Sequence, residues 1–344
     1  MPDNVNTQAG GAVVDSIHFG RNGQRSGSGN VAMRMLSEGL NVEALRTQDV
    51  LRLREWENFD TVVIEVARQR LVAVGDLISA GLTYEVPNAL GIMQVQWERF
   101  SDLGPASVSM SGLSRGENDR FEIDLQSVPM PIIHKDFQIN IRALEAGRNL
   151  GTPLDTTQAA LAARIVSEQI ESILFNGSTV GSASNTISGY TTFSSRVTGS
   201  LTATWLTQTG TTTVNDVLAM VEAAYAQNMY GPYMLYVPAN VFAALGNDYK
   251  TYSDLTIIQR ICEIPGILGV RPTSNLTAAT SSKSSAVLVQ FTSNVVDIID
   301  GIQPTVVQWE SEGGFLINFK VLAIMVPRMK ADKSSQCGII HYSI

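Results

Sequence analysis

Charged side chains are scarce. Asp, Glu, Lys and Arg make up 16% of the 344 residues, against roughly 25% in an ordinary globular protein. A chain so poor in charge has to hide much of its outer surface, in a membrane, in a very large core or against copies of itself. Long hydrophobic runs are also lacking. None reaches the ~18 consecutive apolar residues of a spanning helix, which excludes membrane insertion and gives weight to lateral assembly. The opening residues MPDNVNTQAGG have neither the basic start nor the apolar centre of a secretory signal. Cysteine is nearly absent. Cys262 and Cys337 stand outside any CxxC pair and away from histidine at metal-ligand spacing, so they read as buried or half-buried thiols. Asn176-Gly-Ser and Asn275-Leu-Thr fit the glycosylation pattern and, with no leader, read as chance matches. A basic excess is missing as well. The net charge of -8 and pI of about 5.0 oppose tight, unselective nucleic-acid binding, which needs clustered Lys and Arg. Within residues 1–47, Arg21, Arg25, Arg34 and Arg46 are balanced by Asp3, Asp15, Glu38 and Glu43.

Catalytic patterns are equally thin. There is no GxGxxG, P-loop, HExxH or GxSxG. The three histidines, His18, His134 and His341, lie in dissimilar contexts without an acidic or thiol partner at ligand spacing. His134-Lys135-Asp136 interrupts the stretch VPMPIIHKDFQINIR, but nothing in the sequence orients His134 as a base. Asp297 and Asp300 flank two isoleucines and could pair as acids; a strand entering a turn accounts for them as well. Trp97, Trp205 and Trp309 lack the interleaved basic residues of a single-strand-binding surface and read as gap fillers or contacts. The sequence therefore nominates no catalytic, cofactor-binding or metal-ligating residue. It leans toward a structural role, without excluding an enzyme whose site assembles from distant positions.

What is present is an ordered series of elements. Residues 1–47 are polar and rich in Gly, Ser and Asn, an extended or mobile arm. A helix is predicted from about Gln48 to Ser79, with Trp56, Phe59, Val63, Val66, Arg70 and Val74 at helical spacing and Gly81 closing it. LTYEV and GIMQVQWERF alternate as strands. The region to Gln126 reads as a thinly cored two-stranded excursion turning near residues 115–119, which needs a surface to lie on. Pro129 and Pro131 mark a strand entrance or edge, and FQINIR a half-buried strand. A long helix is predicted from Thr156 to Phe175, with Asp155 and Gln158 as a capping box, Asn176-Gly177 as its C-terminal stop, and Leu161 and Ile165 on its buried face. A Thr/Ser/Gly-rich stretch precedes a mixed unit of helices and internal strands. GFLINFKVLAIMVPRMK returns to the first unit, and the apolar end CGIIHYSI is expected to be docked.

In this order the parts resemble the major capsid proteins of tailed phages and related viruses, the Hong Kong 97-like family, whose fold bacterial encapsulin shells share. LREWENFDTVVIEVARQRL resembles the amino-terminal helix of encapsulin-like subunits, and DTTQAALAARIVSEQIESILFNG the spine helix. VPMPIIHKDFQINIR is similar to the strand that brings the extended E-loop back into the body. The resemblance implies an α+β capsid fold: N-terminal arm 1–47; N-terminal helix and start of the peripheral domain 48–87; E-loop 88–127; peripheral domain with spine helix 128–185; axial domain 186–310; return and tail 311–344. It implies hexamers and pentamers of an icosahedral virion shell enclosing double-stranded DNA, assembled in the host cytoplasm. Its partners would be further copies of the chain, with decoration, scaffolding and portal proteins beside them. No membrane, cofactor or catalysis is implied. The alternative is an encapsulin-type shell around a cargo enzyme. Residues 88–127 contain no lysine, the nearest being Lys135. The family's isopeptide crosslink from an E-loop lysine is therefore not expected here.

Overall fold

The computed structural model describes residues 53–101, 103, 106, 108, 110–111, 120–149, 156–181, 185–250, 255–276, 285–312 and 315–343. The arm 1–47, the start of the first helix, Asp155 and the expected turn at 115–119 lie outside the described residues.

The first helical stretch is two helices, α1 (Leu53–Arg70) and α2 (Val72–Ser79). The single helix expected across this region breaks at Leu71, whose φ/ψ of -81/79 is not helical. The cause comes from far along the chain. The buried Glu171 carboxylate accepts hydrogen bonds from Ala73 N (2.7 Å) and Val74 N (3.3 Å), and so satisfies donors at the start of α2 that a continuous helix would spend internally. Gly81 follows α2 at φ +74, a left-handed stop that suits glycine.

A four-stranded sheet in the order β1-β11-β12-β4 carries the first core. It comprises β1 (Thr83–Glu85), β11 (Val296–Ser311), β12 (Leu316–Met329) and β4 (Ile133–Asn140). The β11–β12 ladder is antiparallel and shifts register between Asp300 and Thr305, around Gly301 and Pro304. An irregularity is where an inner strand tolerates a proline. Phe59 of α1 lies 5.4 Å from Phe319 of β12, and Phe319 stacks on Phe137 of β4 at 5.1 Å; three elements are pinned by aromatic contact. After β4 comes a helix not anticipated from sequence, α3 (Ile141–Asn149), whose Leu144 is buried.

The long helix α4 (Thr157–Asn176) runs about 30 Å at 1.5 Å per residue. It buries Ala159, Ala162, Ala163, Val166, Ile170, Ile173 and Leu174 against α1, α2 and the sheet. Leu161 and Ile165, expected on the buried face, are 46% and 43% exposed. The alanine-rich stripe is the one that lets neighbouring elements approach closely, so the two larger side chains are turned outward. At its end Gly177 (φ +70) and Gly189 cross: a Cβ on Gly177 would sit 2.3 Å from Ile187 O, and one on Gly189 2.4 Å from Gly177 N.

The second sheet has the order β7-β13-β10-β8-β9: β7 (Val197–Ser200), β13 (Ile339–Ser343), β10 (Ser285–Gln290), β8 (Tyr233–Pro238) and β9 (Ile267–Thr273). β8 and β10 are buried along their whole length, as strands covered on both faces are. Their side chains alternate between two cores. Tyr233, Leu235, Val237, Ala286 and Leu288 pack with α5 (Gly210–Tyr225) and α7 (Ile257–Cys262); Met234, Tyr236, Val287 and Val289 join the first core. The short α6 (Ala239–Ala244) follows β8 directly. α5 starts a turn earlier than its apolar pattern, where Thr209 accepts from Thr212 N. The apolar C-terminal residues are docked as β13 between β10 and β7. Sheet membership thus places β11 with the first sheet and β13 with the second, although the expected axial segment 186–310 includes most of β11 and the expected peripheral return 311–344 includes β13.

Candidate assembly surfaces

An antiparallel hairpin leaves the body: β2 (Gln94–Phe100) pairs with β3 (Ile123–Pro129), from Gln94 opposite Pro129 to Phe100 opposite Ile123. At its root Val95, Val128 and Met130 are buried. Toward the tip burial is lost. Phe100, Leu103, Met110, Phe121, Ile123 and Leu125 are exposed, and Val108 is 98% exposed. Phe100 and Phe121 meet edge to face at 5.9 Å, but otherwise a row of large apolar side chains is presented to solvent. Soluble monomers rarely display such a run, and it marks a surface meant for another molecule.

The root is held by charge. Buried Arg328 on β12 makes a two-pronged pair with Asp297 of β11, Nε to Oδ1 at 2.8 Å and Nη2 to Oδ2 at 2.6 Å, and Lys330 Nζ reaches Asp297 Oδ2 at 2.7 Å. The Arg328 guanidinium lies 4.3 Å from the Tyr84 ring and 5.6 Å from that of Trp97 on β2. The paired charge is thus shielded by two aromatic faces, one belonging to the arm. Across the hairpin Arg99 Nη2 donates to Asp124 Oδ2 at 2.6 Å, which holds the Asp124 carboxyl below its usual range. Lys333 pairs with Glu122. Asp297 and Asp300, expected at a strand end, lie inside β11, and the partner of Asp297 is Arg328 rather than Asp300.

Where the two sheets meet, Glu171, Asp76, Tyr190, Tyr236 and Arg271 gather. Burial pushes the Glu171 carboxyl up to about 7, opposed by the Ala73 and Val74 N–H groups and reinforced by Asp76. Asp76 is raised, again mainly by burial, with Arg271 (3.3 Å) and the Tyr236 hydroxyl (3.3 Å) pulling the other way. The cluster joins α4, α2 and the second sheet.

Two of the three histidines lie among the described residues. His134 Nδ1 sits 3.4 Å from Asp136 Oδ1, both half exposed on the edge strand β4; Asp136 also faces Lys320 at 3.5 Å. His341 Nε2 is 2.9 Å from Ser285 Oγ, a pair that sequence reading missed because 56 residues separate the two. Arg196 Nε donates to His341 Nδ1 at 3.4 Å. Arginine only donates, so Nδ1 is the acceptor, Nε2 carries the proton and donates to Ser285, and the serine is not activated. Burial and Arg196 lower the His341 pKa. His18 lies outside the described residues. Burial pushes the Cys337 thiol up to about 12, and Cys262 is exposed. Trp205 is buried and donates to Asp216 Oδ2 at 2.9 Å, and Trp309 lies under Lys320. Among the described residues no group of three or more His, Cys, Asp or Glu could hold a metal ion, and no helix is long and apolar enough to cross a membrane.

The family described as "Family of unknown function (DUF6260)" matches residues 44–341. The chain belongs to this family. A "Type 1 encapsulin shell protein EncA" of Myxococcus xanthus (strain DK1622) is 29% identical over 214 residues, 61% of this chain and 69% of that protein. Among solved structures, a virus-like particle from Pyrococcus furiosus superposes with a TM-score of 0.61 at 16% identity, covering 83% of this chain and 98% of the other. The capsid of Myoviridae phage XM1 superposes at 0.59 with 10% identity, covering 77% and 90%. The fold of this DUF6260 member is the α+β Hong Kong 97-like capsid fold, as its order of parts implied. In that fold α4 is the spine helix and the β2–β3 hairpin is the E-loop. The lysine-free stretch 88–127 runs from the loop before β2 almost to the end of β3, and Lys135 sits in β4, beyond the hairpin.

Proposed function

We propose that this chain is the major subunit of an icosahedral viral capsid, built of hexamers and pentamers and enclosing double-stranded DNA. The observation that carries the shell assignment is the hairpin: rooted in its own body by Arg328 and Trp97, it ends in apolar side chains with nothing among the described residues to cover them. A neighbouring copy is the natural cover, and a repeated contact of that kind closes on itself when its symmetry is cyclic. The role is structural and involves no catalysis. DNA is held by the wall around it, in keeping with the acidic net charge. The likeness to the phage XM1 capsid supports the viral reading. Peripheral and axial units divide, on this reading, along the two sheets. Decoration, scaffolding and portal proteins are the expected companions, and the virion, assembled in the host cytoplasm, is the location. Without a lysine in the arm, the shell is held by noncovalent packing. A second reading, an encapsulin-type shell around a cargo enzyme, is favoured by the likeness to EncA.

Electron microscopy of the purified protein tests the assignment. Closed particles are expected, and a chain that stays monomeric at high concentration ends the shell reading. Particles with hexamers and packaged DNA support the viral form; smaller nucleic-acid-free particles with a co-purifying enzyme support the second reading. Denaturing gels of the particles should show monomer, and a ladder that survives reduction contradicts noncovalent closure.

A further inference from the structure

An open groove of about 400 Å³ runs between the first two helices and the large sheet. Ile64 of α1, Leu71 at the break, Ile78 of α2, Pro304 of β11 and Met325 of β12 give it an apolar lining, and Arg68 is the charged residue among the described lining residues. None of the hairpin residues lines it.

We propose that this groove is the seat of the chain's own residues 31–51, which lie upstream of the first described helix. Three observations converge. The first is reach. Fifty-two residues precede Leu53, and Ile64 lies about 16 Å along α1 from it at 1.5 Å per residue, a span that about five extended residues cover. The second is composition. Residues 1–30 are dominated by Gly, Ser, Asn and other polar residues, but VAMRMLSEGLNVEALRTQDVL carries Met33, Met35, Leu36, Leu40, Val42 and Leu45. A solvated arm has no need of these side chains, and methionine adapts well to an irregular apolar groove. The third is charge. Residues 31–51 carry Glu38, Glu43 and Asp49 against Arg34 and Arg46, an excess of one acid, and the groove offers Arg68 to Glu38 and Glu43. The proposal goes beyond the shell assignment, since it concerns what covers the body of each subunit rather than what joins subunits.

Hydrogen-exchange mass spectrometry on full-length protein tests it. Amides of residues 31–51 are expected to exchange at least ten-fold more slowly than those of residues 1–30. Gly75 also lines the groove; it is helical, and a Cβ there meets nothing within 4 Å. Gly75→Leu therefore fills the groove without disturbing α2, and should bring residues 31–51 to the exchange rate of residues 1–30. Arg68→Glu should raise their exchange in part, and adding Glu38→Arg with Glu43→Arg should restore protection. A photo-crosslinker at Ile78 should form adducts with residues 31–51. Unprotected amides in the wild type, protection unchanged by Gly75→Leu, or adducts to residues 100–125 of another copy or to a foreign peptide would overturn the proposal. Particle formation, scored by microscopy on the same samples, reports separately on the shell assignment.

Discussion

Two antiparallel strand pairs in this molecule have similar sequence character and opposite fates. In β11–β12 the apolar residues Val306, Ile317, Phe319 and Val321 are fully buried beneath α1 and α4. In β2–β3 the residues Phe100, Ile123 and Leu125 are just as apolar and stay exposed. The difference lies in what is overhead rather than in the strands. The ladder in the body has helices to cover it; the hairpin has its own C-terminal segment at the root and solvent at the tip. The subunit therefore separates two kinds of stability, one complete within the chain and one that waits for a neighbour.

The largest expected effect comes from attacking the waiting surface. Leu103→Asp, Val108→Asp and Met110→Asp together should abolish particles under the electron microscope while leaving the thermal melt of the free subunit unchanged. Normal particles from this variant would remove the hairpin from assembly. Next, Phe319→Ala should destabilise the free subunit by about 3–5 kcal/mol in denaturant titrations, as truncations of buried aromatics do, while Phe121→Ala in the hairpin should stay within about 0.5 kcal/mol. Equal losses would erase the distinction between the two ladders.

A smaller effect is expected where α4, α2 and the second sheet meet. The Glu171 carboxyl titrates at about 7 in the folded chain against an ordinary 4.5. The folded state thus binds this proton more tightly than the unfolded state, and the contribution of Glu171 to stability falls as pH rises from about 4.5 to about 7. Glu171→Gln keeps an acceptor for Ala73 N–H, gives up the longer contact from Val74 N–H and removes the charge. It should raise stability at pH 8 by about 1–3 kcal/mol, at 1.36 kcal/mol per pKa unit, and by little at pH 4. Denaturant titrations at both pH values check this, and a loss at pH 8 would mean that the charged cap outweighs its burial. Smallest of all, Leu161→Asp or Ile165→Asp on the outer face of α4 should shift stability by no more than about 0.5 kcal/mol, whereas Ile170→Asp on the inner face should prevent folding. Unfolding by Leu161→Asp would return that face to the core.

Much of the architecture was legible because its signals are local. The spine helix, its stop at Asn176-Gly177, the β8–α6 turn at Pro238 and the two inner strands were each carried by a few adjacent residues. What the sequence obscured depends on distance. The break at Leu71 follows from Glu171, a hundred residues away; α1 and α2 otherwise read as one periodic helix. The outward turn of Leu161 and Ile165 follows from which neighbours come close to α4, and helical spacing alone allows either stripe to be buried. The Arg328–Asp297 pair under Trp97 joins three strands that sequence reading treated separately. His341 and Ser285 were likewise invisible as a pair, and only Arg196 reveals that the histidine faces the serine with the wrong nitrogen protonated. Of the assembly surface, the weakly cored excursion was legible from its composition, but the fading of burial from Val95 to Val108 needed coordinates.

The crossing of Gly177 and Gly189 has a mechanical corollary. With backbone set so close to backbone, the end of the long helix has no slack to slide or tilt without a collision. If subunits meet neighbours at different angles, as the proposed hexamers and pentamers require, they do not bend there. The compliance falls instead to the hairpin, whose burial fades beyond the Val95, Val128 and Met130 root and which carries no such crossing of backbones among its described residues.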